Sequence, residues 1–162
     1  MAIQTLNPYT NKVEHRFDAI SDVEIKQAIG DSHTAFLEWK NTSVEQRAQL
    51  LLNVADLLEK NARQYAALMT REMGKLFQEG IEWEIPNCID MCRYYAANAG
   101  EFLKDQPISD VETGSANIES LPMGVIFGVM PWNFPFYQVI RFAVPNIMAG
   151  NTVLFKHASN VP

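Results

Sequence analysis

Apolar and polar residues alternate differently in two parts of this chain. From residue 21 to about residue 106, apolar side chains recur at helical spacing among charged ones, which predicts a series of amphipathic helices. Residues 116 to 156 are apolar and interrupted by Gly and Pro, which predicts strand, turn, helix and strand. The polar, turn-rich segment 105–114 separates the two parts.

Local signals predict where the first three helices begin and end. The spacings Ser-x-x-Glu at residues 21–24 and Ser-x-x-Gln at residues 43–46 are capping boxes, which satisfy free backbone donors at the start of a helix. A third helix is expected over residues 62–73. It should end at Gly74, because glycine suits a left-handed C-terminal cap.

A fourth helical stretch is expected from about residue 75 to residue 103. Pro86 lies inside this stretch and removes one backbone donor, so we expect a kink or a break there. The carboxylates of Glu79, Glu82 and Glu84 are predicted to face water. We therefore expect this stretch to be a helix without carboxylates paired for acid–base catalysis.

The C-terminal part predicts two buried parallel strands joined by a helix. Residues 116–121 alternate in part and suit a first, separate strand. Residues 125–130 form a continuous apolar run, as in a strand buried on both faces. A helical pattern over residues 134–149 and a second apolar run at residues 152–155 follow. Strand, helix and strand at this spacing predict a right-handed crossover between parallel strands, so the fold class is α/β.

Composition excludes several classes of protein. The chain has 162 residues, a net charge of −6 and 48% hydrophobic residues, which suits one folded domain and excludes a disordered chain. The acidic balance argues against nucleic acid and against a polybasic membrane surface as partners. No run reaches the roughly 18 apolar residues that a membrane span needs. With two cysteines and no secretory signal in residues 1–11, we expect a cytoplasmic protein with reduced thiols.

The turn after the first buried strand is the first candidate site. In an open α/β sheet, ligands bind outside the carboxyl ends of the strands. Asn133 lies in such a turn, between two prolines, and its neutral amide could stabilise an oxyanion that forms at a carbonyl under attack. The alternative is a Pro-braced turn in which Asn133 caps the next helix. The residues alone favour that alternative.

The end of the second buried strand is the other candidate. Lys156 is expected there, next to the same crevice. A lysine and a small hydroxyl suit the ribose and phosphate of a dinucleotide, whereas the alternative is a solvated lysine at a strand end. We expect the Asn133 amide and the Lys156 ammonium to line one pocket at neighbouring strand ends.

These motifs resemble one protein family. The run GVIFGVMPWNFP at residues 124–135, a helix, and AGNTVLFKHASN at residues 149–160 are similar to the aldehyde dehydrogenase superfamily, as is MTREMGK at residues 69–75. The resemblance covers nearly the whole chain. It implies an incomplete aldehyde dehydrogenase fold, with N-terminal helices before the start of a Rossmann-like parallel sheet.

The resemblance also implies a division of the chain. Residues 1–106 would be the N-terminal helical part of the cofactor-binding domain. Residues 107–123 would be a linker with an oligomerisation strand, which predicts a homo-oligomer (dimer or tetramer). Residues 124–162 would be the first β-α-β unit of the core that binds NAD or NADP.

Residue roles follow from the same resemblance. It gives Asn133 the role of oxyanion donor and cofactor contact, and it places Pro131 and Trp132 in the cofactor-contacting turn. Lys156 matches the lysine that hydrogen-bonds the adenosine ribose, and Ser159 matches the residue three further on.

Two residues depart from the family pattern. The family usually has Pro where this chain has His157, and many NAD-preferring members have Glu where this chain has Ser159. A carboxylate there would repel a 2′-phosphate, so we expect tolerance of NADP with NAD not excluded.

Arg141 lies two turns along the predicted helix that follows Asn133. One interpretation is an arginine at the helix edge that extends to water. Succinate-semialdehyde dehydrogenases are similar at this position, where an arginine holds the distal carboxylate of the substrate by bidentate hydrogen bonds. The resemblance therefore implies succinate semialdehyde as the aldehyde substrate.

The remaining chemistry is expected outside these residues. Cys88 and Cys92 lie on one helical face, and we interpret them as packed thiols because no four-ligand metal site can be assembled around them. The family's nucleophilic cysteine and general-base glutamate match no residue here. We therefore expect the N-terminal part of a longer, NAD(P)-dependent aldehyde dehydrogenase, inactive as this segment alone. The alternatives are a truncated relative that only oligomerises and an unrelated helical interaction module.

Overall fold

The computed structural model describes residues 3–162, which begin with an antiparallel hairpin. Strand β1 (Ile3–Asn7) pairs with β2 (Lys12–Phe17), and the register shifts inside β1, after Thr5. Nearly all of these strand residues are partly or fully exposed, so no buried face marks the hairpin in the sequence. An ion pair of 2.6 Å between Arg71 and Glu14 ties it to the third helix.

The first two helices begin at the predicted capping boxes. In the box at residues 21–24, which precedes α1 (Asp22–Trp39), the serine hydroxyl accepts from the third backbone N–H at 3.3 Å and the carboxylate accepts from the serine N–H at 2.8 Å. In the box at residues 43–46, before α2 (Val44–Lys60), the serine hydroxyl accepts from the glutamine N–H at 3.2 Å, and the glutamine amide oxygen accepts from the serine N–H at 2.9 Å. Both predictions are confirmed.

The third helix, α3 (Ala62–Met73), ends as predicted. Gly74 has φ = 74°, in the left-handed region, and its N–H binds the carbonyl of Thr70 at 3.0 Å. A Cβ at Gly74 would also come within 3.1 Å of Pro8 in the N-terminal hairpin. Glycine therefore serves both as a helix cap and as a close contact.

The fourth helical stretch is continuous but irregular before Pro86. A short α4 (Phe77–Glu79) leads into a π-helical turn over Gly80–Glu84 and then into α5 (Ile85–Phe102). The expected kink or break at Pro86 is wrong: this proline occupies the first turn of α5, where a backbone donor is not needed. The irregularity is the π turn, which ends two residues earlier.

A hairpin that the sequence predicted only in part follows α5. Strand β4 (Ala116–Ile118) confirms a strand within residues 116–121, and it pairs antiparallel with β3 (Gln106–Ile108). Residues 105–114 were expected only to be a polar, turn-rich boundary, and the short strand β3 within them was not predicted. The three β3 residues are all exposed, so no apolar periodicity marks the strand.

The C-terminal part is the predicted strand, helix and strand. Strands β5 (Val125–Val129) and β6 (Thr152–Lys156) are parallel neighbours joined by α6 (Pro135–Met148). The pairing runs from Val125 opposite Thr152 to Val129 opposite Lys156, so the two strands end side by side.

The main core lies between the helices. It is formed by Leu51, Ala55, Leu58, Ala66, Met69, Ile85, Cys88, Ile89, Cys92, Ala99, Val144 and Met148. These residues come from α2, α3, α5 and α6, so the crossover helix is packed on the N-terminal helices. Among residues 3–162, no helix is both long and apolar enough to cross a membrane.

Candidate functional site

The turn between β5 and α6 lies at the carboxyl end of the parallel pair. Its residues Pro131, Trp132 and Asn133 are exposed. The Asn133 carbonyl accepts a hydrogen bond of 3.1 Å from Lys75 Nζ, while within residues 3–162 its side-chain amide has no hydrogen-bond partner. The amide is therefore available to a ligand.

Asn133 does not cap the helix that follows it. The residue at the cap position is Phe134, and it supplies no side-chain hydrogen bond to α6. The first N–H groups of α6 donate instead to the carboxylate of Glu84, in the π turn before α5. The capping alternative, which the residues alone favoured, is therefore wrong.

Lys156 ends β6 directly beside the end of β5. Its carbonyl accepts from the N–H of Met130 at 2.9 Å, which continues the parallel pairing. The Lys156 ammonium is exposed and donates to the carbonyl of His157 at 2.8 Å. In the described part of the chain no carboxylate pairs with it, so its charge is open to an anionic ligand.

The loop after Lys156 carries no charged side chain near neutral pH. Burial lowers the pKa of His157, and the neighbouring Lys156 charge lowers it further, so the imidazole is uncharged near neutral pH. His157 Nδ1 is buried and has no hydrogen-bond partner among the described residues. Ser159 is exposed. No side chain of this loop would repel a phosphate.

Arg141 lies on α6 and is exposed, as the interpretation of a helix-edge arginine allowed. It lines a groove of 360 Å³ together with Pro131, Gln138 and several residues of β5. Neither Asn133 nor Lys156 lines this groove. The structure thus places Arg141 in the same groove as Pro131, at the start of the turn. That Asn133 and Lys156 line one pocket stays a prediction.

Two charged residues lie buried behind the turn. Lys75 was not singled out from the sequence, and Glu84 was predicted to face water. Lys75 and Glu84 form an ion pair of 2.7 Å whose side chains are 3% and 0% exposed. The prediction that Glu84 faces water is wrong. The π turn before α5 directs this carboxylate inward, while Glu79 and Glu82 stay at the surface. MTREMGK, the motif that contains Lys75, was the available signal, but its position alone does not show what the lysine contacts.

Glu84 supplies the cap that α6 lacks. Its Oε1 accepts from the N–H of Phe136 at 2.9 Å and from the N–H of Tyr137 at 3.0 Å. A carboxylate at a helix N-terminus is also favoured by the helix dipole. The Trp83 ring packs beside Phe134, with centroids 5.2 Å apart. The π turn therefore contacts this region through two residues, Trp83 and Glu84.

The two cysteines are packed thiols, as expected. Both are free and fully buried. Burial raises the pKa of Cys92 to about 11 and that of Cys88 further still, with the Glu84 charge adding to the effect at Cys88. Neither thiol ionises near neutral pH, so neither is a nucleophile. Within residues 3–162 no group of three or more His, Cys, Asp or Glu side chains is placed to hold a metal ion.

This arrangement can be compared with known proteins. The family model for the aldehyde dehydrogenase family matches residues 1–162. The chain belongs to the aldehyde dehydrogenase family. The family resemblance of the two motif-bearing segments is confirmed, and with it the α/β fold.

Named members of the aldehyde dehydrogenase family match the whole chain. A probable succinate-semialdehyde dehydrogenase (NADP(+)) of Synechocystis sp. is 44% identical over 162 residues, which are 35% of its own length. Succinate-semialdehyde dehydrogenase (NADP(+)) 1 of Mycobacterium tuberculosis is 45% identical over 164 residues, 36% of its length. The chain thus spans about a third of these relatives.

A solved aldehyde dehydrogenase structure has the same fold over this region. The crystal structure of succinic semialdehyde dehydrogenase from Streptococcus pyogenes in complex with NADP+ matches with a TM-score of 0.93 and 40% identity. The match covers 99% of this chain and 35% of that one. The described elements are therefore the N-terminal portion of the aldehyde dehydrogenase fold.

Proposed function

We propose that the complete natural polypeptide containing this chain is an NADP+-dependent dehydrogenase that oxidises succinate semialdehyde to succinate. The observation that carries this proposal is the free Asn133 amide at the carboxyl end of a parallel strand, with the Arg141 guanidinium on the next helix. The names of the relatives at 44% and 45% identity support it. The second candidate is a truncated relative that only oligomerises, which the exposed hairpin of β3 and β4 favours.

Asn133 is proposed to stabilise charge on the aldehyde oxygen. When a nucleophile attacks an aldehyde carbon, the carbonyl oxygen becomes negative, and a fixed amide donor lowers the energy of that state. In the family, the nucleophile is a cysteine thiolate and a glutamate activates the water that releases the acid. The resemblance places both residues outside residues 1–162.

Lys156 and Ser159 are proposed to hold the adenosine end of the cofactor. An exposed ammonium without a carboxylate partner can bind ribose and phosphate oxygens, and the neutral His157 and Ser159 leave room for a 2′-phosphate. Pro131 and Trp132, also exposed, are the proposed contacts of the same cofactor in the turn. When bound, NADP+ accepts the hydride that leaves the aldehyde carbon.

Arg141 is proposed to bind the distal carboxylate of succinate semialdehyde. No ion pair or hydrogen bond within residues 3–162 uses its guanidinium, so both of its outer nitrogens are available. A guanidinium and a carboxylate form two parallel hydrogen bonds, which selects an aldehyde that carries a carboxylate. The groove that Arg141 lines also includes Pro131, two residues before Asn133.

Replacing Arg141 tests this function directly. In the complete polypeptide, we expect Arg141→Ala to raise KM for succinate semialdehyde about tenfold or more, as loss of a charge-assisted hydrogen bond of about 1.5–3 kcal/mol implies. KM for butanal, which lacks the carboxylate, should stay within twofold. Steady-state kinetics with both aldehydes measure the difference.

The control is Arg16→Ala, which removes another exposed arginine, from the N-terminal hairpin, and should change neither KM. An equal rise in KM for both aldehydes in the Arg141 variant would contradict substrate selection by this residue. Absence of aldehyde oxidation by the complete polypeptide, with an oligomer still present, would favour the second candidate.

Two further properties are part of the proposal. The free, buried cysteines support a cytoplasmic location, where thiols remain reduced. The exposed apolar residues Ile108, Ile118 and Leu121 support self-association of the complete polypeptide through the hairpin of β3 and β4 and the segment after it.

A further inference from the structure

We infer that Lys75 and Glu84 are positioning residues, which hold the turn that carries Asn133 in the orientation needed for catalysis. This inference rests on the proposed function of Asn133. It concerns two residues that lie on neither strand of the parallel pair and that no part of the reaction described above uses. Their side chains reach the turn from behind, out of contact with solvent.

Lys75 binds the turn at two successive residues. Its Nζ donates to the carbonyl of Asn133 at 3.1 Å and lies 3.5 Å from the centre of the Phe134 ring. The Nζ–Oε2 contact with Glu84, at 2.7 Å, has ion-pair distance but not hydrogen-bond geometry. The hydrogen bond that Lys75 makes to the turn is thus directed to the backbone of Asn133.

Glu84 binds two residues just beyond Pro135. Its Oε1 accepts from Phe136 and Tyr137, the first backbone donors of α6. The pair therefore holds the chain on both sides of Phe134, through one carbonyl before it and two N–H groups after it. Because the backbone is fixed at these points, the direction in which the Asn133 side chain leaves it is restricted.

Stability alone does not account for this pair. A buried ion pair generally contributes little net stability, since desolvation offsets the attraction, and apolar residues can often replace it. An oxyanion donor, in contrast, is effective only if it is already oriented before the charge develops. Since the exposed Asn133 amide has no partner of its own within residues 3–162, its orientation depends on the backbone that Lys75 and Glu84 hold.

The double variant Lys75→Met/Glu84→Gln tests the inference. Glutamine keeps an oxygen for the α6 donors and the pair becomes neutral, so the fold should be retained while the donor to Asn133 is lost. We expect kcat with succinate semialdehyde to fall tenfold or more in the complete polypeptide, with Kd for NADP+ within twofold. The control is Lys104→Met/Glu101→Gln, an exposed pair at 3.8 Å, which should leave kcat unchanged. An unchanged kcat in the Lys75/Glu84 variant overturns the inference.

A double-mutant cycle with Asn133→Ala separates positioning from general damage. If Lys75 and Glu84 act through the Asn133 amide, their replacement should change kcat less than twofold once that amide is gone. A full tenfold loss in the Asn133→Ala background would show that the pair acts elsewhere, and it would overturn the inference while leaving the role of Asn133 intact.

Hydrogen exchange keeps the test independent of the proposed function. If Asn133→Ala alone leaves kcat unchanged, the oxyanion role of Asn133 is wrong. The catalytic part of the inference then fails with it, and whether Lys75 and Glu84 hold the turn is decided by exchange in the peptide covering residues 132–137, which should speed up in the Lys75/Glu84 variant and not in the control. Should the double variant fold poorly, Glu84→Gln alone should give a smaller loss of kcat and a smaller rise in exchange; no change in either would overturn the inference.

Discussion

Lys75 and Lys156 are the same residue type in opposite surroundings. The Lys75 ammonium is buried against Glu84 and the Asn133 carbonyl, whereas that of Lys156 is exposed and bound only to the carbonyl of His157. A charge without water is tolerated only when it is paired and hydrogen-bonded. An exposed ammonium keeps its hydration and can exchange it for a phosphate. We therefore expect Lys75 to act on the protein backbone and Lys156 on a ligand.

Ser159 offers a test of cofactor choice at the scale of one residue. In the complete polypeptide, Ser159→Glu should lower kcat/KM for NADP+ about tenfold or more, because juxtaposed like charges cost up to several kcal/mol. The value for NAD+ should stay the same or rise, since NAD+ has no 2′-phosphate. Initial rates with each cofactor provide the measurement.

The neighbouring residue provides the control for this change. Asn160→Glu places the same charge one position further along the exposed loop and should alter the ratio of the two cofactor constants much less. Equal losses with NADP+ and NAD+ in the Ser159 variant would contradict a position next to the 2′-phosphate.

At the scale of elements, α6 is held at both ends by side chains from other helices. Glu84 binds its first N–H groups, and at the other end Trp39 Nε1 donates to the carbonyl of Ile147 at 3.1 Å. Arg47 Nη1 donates to the carbonyl of Met148 at 2.7 Å. An anion at the N-terminus and a cation at the C-terminus both complement the helix dipole. The N-terminal helices thus determine where α6, and with it Arg141, lies.

Removing the C-terminal contact should destabilise the protein. Arg47 also donates to the carbonyl of Thr42 at 2.7 Å, so Arg47→Met leaves two backbone acceptors without a partner. We expect the free energy of unfolding to fall by about 2–4 kcal/mol, the sum of the lost hydrogen bonds and the helix-dipole interaction. Urea unfolding of the complete polypeptide measures the change.

The matched variant is Arg16→Met, at an exposed arginine of β2, which should alter the free energy of unfolding by no more than about 0.5 kcal/mol. If the two variants unfold at the same urea concentration, the hydrogen bonds from Arg47 to the carbonyls of Met148 and Thr42 do not contribute to stability.

At the scale of the whole molecule, the described elements leave apolar surface uncovered. Phe127, Val129 and Phe155 are exposed on the two-stranded parallel sheet. Parallel sheets are ordinarily covered on both faces. This surface supports the proposal that the complete polypeptide supplies further strands and helices here, in keeping with the relatives, of which this chain spans about a third.

The hairpin of β3 and β4 is the proposed contact between subunits. Ile118 is 56% exposed on β4, whose other edge has no strand beside it within residues 3–162. Ile118→Lys should therefore shift the complete polypeptide towards smaller species, because an edge lysine opposes strand-to-strand association. Sedimentation velocity measures the distribution of masses.

Ile20→Lys is a matched control, since Ile20 is also 56% exposed but lies before α1, outside the hairpin. It should leave the mass distribution as it is. An unchanged distribution in the Ile118 variant would contradict association through this hairpin.

Local sequence patterns were enough to predict the helices with capping boxes, the end of α3 at Gly74 and the parallel pair of β5 and β6. They also identified the family, through motifs at residues 124–135 and 149–160. These features depend on neighbours in the chain or on long apolar runs, so local patterns are enough to predict them. The motifs also singled out Asn133, Lys156 and Arg141 as candidates.

The surroundings of those candidates became visible only in the folded chain. Glu84 was predicted to face water, because a charged residue on a helix is usually solvated, and the surroundings of Lys75 were not predicted. The packing of the π turn against α6 buries both side chains. The capping of α6 by Glu84 joins residues 52 positions apart. The strands β1, β2 and β3 were not predicted, since they have little buried apolar surface and no apolar periodicity marks them. Contacts between distant residues depend on the whole fold, and no local pattern records them.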